Sequence, residues 1–75
     1  MSESEKKTVD AMGLSCPMPA MLARQALLGM SGGTVEILVD NGTSCENVTR
    51  LAEREGWNVD ATEDAEGNYK LVLTK

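Results

Sequence analysis

Branched apolar residues fall along this chain in short bursts separated by polar turns, and their spacing predicts six elements in the order β-α-β-α-β-β. Residues 7–11 (K-T-V-D-A) read as a short first strand flanked by charge, and Gly13 then marks a turn. Residues 34–40 (T-V-E-I-L-V-D) are rich in branched apolar side chains and predict a central strand, the most buried of the chain. In residues 57–62, Trp57, Val59 and Ala61 alternate with Asn58, Asp60 and Thr62, which predicts a third strand with one polar face. Residues 69–74 are again strand-like, and the polar run 63–68 supplies the hairpin loop between these last two strands.

The two helices are marked by different signals. Pro17 and Pro19 are compatible with a helix start, because first-turn N–H groups have no intrahelical acceptor and a proline there loses no helical bond. Helix one is therefore expected from Pro17. Its apolar stripe is read as Met18, Met21, Leu22, Gln25, Ala26, Leu28 and Gly29, with Arg24 and Gln25 toward the edge and the Ser31-Gly32-Gly33 run ending it. After an Asn41-Gly42 turn signal, Thr43 and Glu46 stand in capping-box register, which predicts an N-cap at Thr43. Helix two then runs through Val48, Leu51 and Ala52 to about Glu55, with Gly56 as terminator.

This order implies an α/β fold: a four-stranded mixed sheet covered on one face by two helices. If the first two strands are parallel through a right-handed crossover, the loops leaving their C-terminal ends share one edge of the sheet. Those loops carry Cys16 and Cys45, so two thiols 29 residues apart are expected near each other. A chain of 75 residues supports one core, so a single domain is expected over residues 1–75, with residues 1–6 a flexible polar lead.

Composition narrows the function. One Trp, one Tyr and no Phe leave an aliphatic core. Twelve acidic residues against seven basic ones give a net charge of −5, and the only basic cluster is the pair Lys6-Lys7, which argues against direct nucleic-acid binding. The first residues are polar and no apolar run approaches a membrane span, so a cytoplasmic protein without membrane contact is expected. In a reducing compartment, two cysteines read as reactive or buried thiols rather than a structural disulfide. The five methionines suit an aromatic-poor core better than a soft-metal site, and no metal ligand set is expected.

The run Gly13-Leu14-Ser15-Cys16-Pro17-Met18-Pro19 carries the candidate chemistry. A cysteine at or beside a helix N-cap faces unpaired N–H groups and the positive end of the helix dipole, which favour a thiolate and lower the thiol pKa below its free value of about 8.5. The prolines fix φ and leave few, directed donors. Asp10 could bond backbone groups of the loop or serve as an ordinary turn-forming aspartate. Pro19 occupies the position where a C-x-x-C motif would need its second cysteine, and the chain contains no His to act as a base for cysteine hydrolase chemistry. A low-pKa thiol without a base is suited to holding sulfur. Cys45, in the first turn of helix two on the Val48 and Ala52 side, reads as a small core residue or as a second thiol that resolves or shares sulfur with Cys16.

The segment V-D-A-M-G-L-S-C-P-M-P followed by a helix resembles the signature of the TusA/SirA/YedF family of small sulfur-carrier proteins, and the likeness covers nearly the whole chain. Asp40-Asn41 and Glu46-Asn47-Val48 resemble the YedF-like branch in particular. The resemblance implies a two-layer α/β sandwich in which Cys16 accepts sulfur as a persulfide and passes it on, with Gly13, Pro17 and Pro19 shaping the loop and Asp10 opening the motif. It implies a protein donor, a cysteine desulfurase or rhodanese-like protein, a protein acceptor, and no cofactor beyond the transient persulfide sulfur. The branch is linked with selenium metabolism. Ser15 and Met18 stand where TusA-like sequences carry a basic and an acidic residue, so tRNA thiolation is not implied, and Cys45 lies outside the family pattern. A non-catalytic, monomeric carrier is the leading reading. The alternatives are a thiol redox or regulatory protein using a Cys16-Cys45 pair, and a docking module that binds a larger enzyme.

Overall fold

The computed structural model describes residues 6–14, 18–30 and 32–75. Its elements are β1 (Lys6–Asp10), α1 (Met18–Leu28), β2 (Thr34–Val39), α2 (Gly42–Arg54), β3 (Asn58–Glu63) and β4 (Tyr69–Thr74). The sheet order is β1-β2-β4-β3, with β1 parallel to β2 and the other two pairings antiparallel. This is the expected four-stranded mixed sheet of a two-layer α/β sandwich.

The core follows from period-two alternation in the middle strands. Val35, Ile37 and Val39 of β2 are buried on one face, while Thr34, Glu36 and Leu38 are half-buried on the other. The β4 register sets Leu73 opposite Val35 and Leu71 opposite Ile37, which continues the buried row. Ala23 and Leu27 from α1 and Val48 and Ala52 from α2 complete the cluster from one side of the sheet. The other side is polar and partly open, and Lys6 Nζ there meets Glu36 Oε2 at 3.3 Å. β2 is the central, most buried strand, as its sequence predicts.

Several boundaries differ from expectation, β2 for one ending at Val39 and not at residue 40. β1 starts at Lys6 and ends at Asp10, one residue earlier than predicted and within the lead expected to be flexible. β3 starts after Trp57, which is buried although it lies outside the strand. β3 is an edge strand, and along it Val59 is half-buried and Ala61 is exposed despite the alternation. The predicted start of α1 at Pro17 falls outside the described residues, and the helix ends at Leu28, before the Ser31-Gly32-Gly33 run.

The apolar stripe of α1 is also corrected. The buried positions are Pro19, Ala23 and Leu27, at i, i+4 and i+8, with Leu22 and Ala26 packed partly against the core. Met18, Met21 and Leu28 are 42%, 55% and 64% exposed. Two interleaved apolar series satisfy helical spacing here, and the small Ala23 allows the close approach to the sheet that long methionine side chains would prevent.

The C-terminus of α2 behaves as Gly56 predicts. Gly56 adopts φ +89°, its N–H donates to the Glu53 carbonyl at 3.1 Å, and Trp57 N–H donates to the Ala52 carbonyl at 2.9 Å. This paired arrangement satisfies terminal carbonyls and turns Trp57 back onto the core. Lys75 Nζ sits 5.7 Å from the Trp57 ring centre. At the β3–β4 hairpin, Asp64 Oδ1 accepts from Glu66 N–H and Asn68 N–H, both at 2.9 Å, and these bonds hold its carboxyl below the usual range.

The reassigned α1 face makes a direct prediction. Leu27→Ala is expected to cost about 2–5 kcal/mol in urea unfolding. Met21→Ala is expected to stay within about 0.5 kcal/mol. Equal costs at the two positions would contradict the assignment.

Candidate functional site

Parallel pairing of β1 with β2 sends both strands out at the same edge of the sheet, and a side-chain contact joins the two exits. Ala11 N–H donates to the Leu38 carbonyl at 2.9 Å, carrying the ladder one residue past β1. Asp10 Oδ1 accepts Met12 N–H at 3.0 Å, which is the turn-forming role anticipated for it. Gly13 then adopts φ +77°, and its N–H donates to Asp40 Oδ2 at 2.8 Å. A Cβ on Gly13 would meet no atom within 4 Å, so glycine is required here by backbone conformation and not by space. Leu14 is half-buried against the core.

Cys16 and Pro17 lie outside the described residues, together with Ser15. Their chain neighbours are placed: Leu14 on one side, and Met18 as the first residue of α1 on the other. Pro19 is in the first turn, where its missing N–H costs no helical bond, and its buried side chain gives it a packing role beside the conformational one.

The start of α2 forms the other half of this edge. Asn41 is the N-cap, with extended backbone, and its Oδ1 accepts Ser44 N–H at 2.7 Å. This corrects the N-cap expected at Thr43 and the reading of Asn41-Gly42 as a turn. An Asn two residues earlier can reach the same free donors, and it leaves Thr43 exposed within the helix. Asn41 Nδ2 in turn donates to Asp40 Oδ1 at 2.9 Å, so Asp40 and Asn41 link the β1–α1 loop to the first turn of α2. Residue type alone does not mark either of them, although an aspartate closing the central strand beside an asparagine before a helix is a signal for such a link.

Cys45 lies in that first turn, its N–H donating to the Asn41 carbonyl at 3.1 Å. It is half-buried and packs partly against the core, in line with the small-core-residue reading. Burial pushes its thiol pKa up, a hydrogen bond with Thr49 pulls it down, and the carboxylates of Glu46 and Glu63 add to the upward push. The net direction is upward, which favours the neutral thiol. The two loops thus share an edge as the topology predicts, while of the two cysteines only Cys45 is placed.

Two shallow concavities flank the edge. One, of about 250 Å³, lies on the exposed side of α1 and is lined by Met18, Met21, Leu22, Arg24, Gln25 and Leu28. The other, of about 480 Å³, lies beside Met12 on the open side of the sheet, over Leu38 and Val72, with Lys70, Asp64 and Tyr69 around it. Glu63 beside Tyr69 pushes its hydroxyl pKa up. Among the described residues, no group of three or more His, Cys, Asp or Glu is placed to hold a metal ion, and no helix is long and apolar enough to cross a membrane.

Comparison with known proteins places this geometry in context. Residues 7–75 match the family described as sulfurtransferase TusA. A putative sulfur carrier protein of Methanocaldococcus jannaschii is 31% identical over 70 residues, covering 92% of this chain and 93% of that protein. The crystal structure of a SirA-like protein from Desulfitobacterium hafniense superposes with a TM-score of 0.85 at 34% identity, covering 91% of this chain and 95% of that one.

Two predictions test the local geometry. Asn41→Ala is expected to lower stability by about 1 kcal/mol in chemical denaturation through loss of the cap. Thr43→Ala is expected to change it by less than about 0.5 kcal/mol. Reversed magnitudes would restore the cap to Thr43. For Cys45, a folded-state pKa raised above the unfolded value contributes stability that is present below the unfolded value and lost as pH rises through the folded one. In a Cys16→Ser background, iodoacetamide labelling of Cys45 should therefore set in at higher pH than for free cysteine, and earlier onset would contradict the burial described.

Proposed function

This chain belongs to the TusA family, and from that premise we propose that it is a sulfur carrier that accepts sulfur on Cys16 as a persulfide and relays it to an acceptor protein. The observation that carries this reading is the family match over residues 7–75, which takes in the whole Gly13-to-Pro19 motif. The fit of the fold to a SirA-like protein supports it, as does the anchoring of the loop on both sides of residues 15–17.

The step is a thiol–persulfide exchange. The Cys16 thiolate attacks the terminal sulfur of a donor persulfide; the donor's S–S bond breaks, its cysteine leaves as a thiolate with the bonding electron pair, and a new S–S bond forms on Cys16. The sulfur keeps its oxidation level, so no external oxidant or reductant takes part. Transfer to the acceptor repeats the exchange and returns Cys16 to a thiol, which makes the protein a relay component rather than a catalyst of its own reaction. Donors of suitable chemistry are cysteine desulfurases and rhodanese-like proteins.

Gly13 with its positive φ, Asp10 with its turn and Pro19 in the first helical turn are the supporting residues of this reading, and Pro17 joins them by its place in the motif. Cys45 is left out of the transfer on this reading, because it packs partly against the core and burial pushes its thiol pKa up, which disfavours the thiolate that sulfur exchange uses. On the residues Asp40-Asn41 and Glu46-Asn47-Val48 we place the chain in the YedF-like branch, where selenium is an alternative cargo. We read it as a monomer acting in the cytoplasm, with proteins rather than nucleic acid as partners.

Exposure to a cysteine desulfurase and free cysteine, followed by removal of both, is expected to leave sulfur that dithiothreitol releases as stoichiometric sulfide. Cys16→Ser should release none and Cys45→Ser should match the parent. Undiminished release from Cys16→Ser would overturn the assignment of the carrier atom.

A further inference from the structure

The hollow of about 480 Å³ on the open side of the sheet takes no part in the proposed sulfur exchange. Strand register builds its floor. Thr62, Lys70, Leu38 and Asp10 lie in one cross-strand row, and Asp60, Val72, Glu36 and Thr8 lie in another. The row between them holds Ile37 and Leu71, buried in the core under the helices, so alternation turns both of these rows to the other side. Leu38 and Val72, diagonal neighbours on the two central strands, are half-buried and make the floor apolar. Met12 walls the hollow where β1 leaves the sheet, and the hairpin residues Asp64 and Asn68 border it as well. Small-molecule sites occupy roughly 300–1,000 Å³, so the space is of that order.

The charges around the floor are not equally engaged. Asp10 Oδ1 accepts Met12 N–H at 3.0 Å, Glu36 Oε2 meets Lys6 Nζ at 3.3 Å, and Asp64 Oδ1 accepts Glu66 N–H and Asn68 N–H at 2.9 Å. Among the described residues, neither Lys70 nor Asp60 forms an ion pair. Lys70 lines the hollow between its cross-strand neighbours Leu38 and Thr62, whereas Asp60 stands beside Val72 outside the lining. An uncommitted ammonium and a hydroxyl at the border of an apolar floor suit an anionic head on an apolar body. The same surroundings limit the charge of that head. The chain carries −5 overall, and Asp60 and Asp64 lie close by, so each further negative charge on an occupant is repelled.

We propose that this hollow binds a small organic monocarboxylate, with its carboxylate at Lys70 and Thr62 and its apolar body against Leu38, Val72 and Met12. A single charge meets the ammonium without the repulsion that an acidic protein segment would meet, and the apolar body covers the floor. Lys70 is exposed, so its attraction is screened and contributes a factor of about two to five in affinity, with the remainder coming from the floor. The site goes beyond the carrier reading and does not rest on it, since neither cysteine lines the hollow.

Titration of phenylacetate into the full chain at low ionic strength, followed by amide NMR, tests the proposal. Shifts are expected at Leu38, Lys70 and Val72, saturating with a Kd on the order of 1 mM, the scale of a small fragment in an open hollow. Phenylacetamide, which keeps the body and lacks the charge, should bind about two- to fivefold more weakly. Phenylmalonate, with a second carboxylate, should also bind more weakly than phenylacetate, and acetate, without the body, should leave the floor residues unshifted. Lys70→Gln should lower phenylacetate affinity to that of the amide and leave the amide's own affinity unchanged. Absence of shifts at the floor, shifts centred on Met21 and Leu28 of α1, or equal affinities for acid and amide would overturn the proposal. So would undiminished phenylacetate binding by Lys70→Gln, or tighter binding of phenylmalonate, which would point to an acidic protein partner. The comparison of acid with amide is made on the parent chain and decides even if the variant fails to fold. Sulfur loading is measured separately, so failure of this site and failure of the carrier reading are distinguishable.

Discussion

Five residues of β1 lie in parallel register against β2, from Lys6 opposite Thr34 to Asp10 opposite Leu38, and the arrangement of the functional edge depends on that pairing. Parallel neighbours need a crossover, and α1 supplies it, its Ala23 and Leu27 packed over Val35, Ile37 and Val39. Both strands then leave the sheet in the same direction, which lets Asp40 at the end of β2 meet Gly13 after β1. An antiparallel β1 would put its exit at the opposite end of the sheet, and neither this bond nor the shared loop edge would exist.

The two cysteines take different roles on the proposed reading. Cys45 sits one position past the capped Ser44, half-buried beside Thr49 and near two carboxylates, and these surroundings favour the neutral thiol. Cys16 belongs to residues 15–17, between Leu14 and the first residue of α1; one position further out on either side are Gly13, whose amide is held, and Pro19, whose side chain is buried. On the proposed reading the first is a packing residue and the second carries sulfur.

The fold was legible because its strongest signals are local. T-V-E-I-L-V marks a central strand by composition, Gly56 marks a helix end by its φ, and the polar stretch after Glu63 marks a hairpin. The face of α1 was not legible, since Met18, Met21 and Leu28 obey helical spacing as well as Pro19, Ala23 and Leu27 do, and depth of packing against the sheet decides between them. The cap of α2 is obscured for a related reason: Thr43 and Glu46 form a valid capping pattern, yet Asn41 lies where the chain leaves β2 and reaches Ser44 first. Within the site, Cys16 and its motif stand out by residue type and spacing. Asp40 does not, because its partner Gly13 lies 27 residues away and only the parallel pairing brings them together.

The central claim is that sulfur travels on Cys16 alone. Loading the protein with isotopically labelled sulfur through a cysteine desulfurase, digesting it with trypsin without reductant and locating the label tests this most directly. The label is expected on the peptide containing Cys16 and should be discharged by dithiothreitol, with none on the peptide containing Cys45. Label on the Cys45 peptide, or on neither, would contradict it.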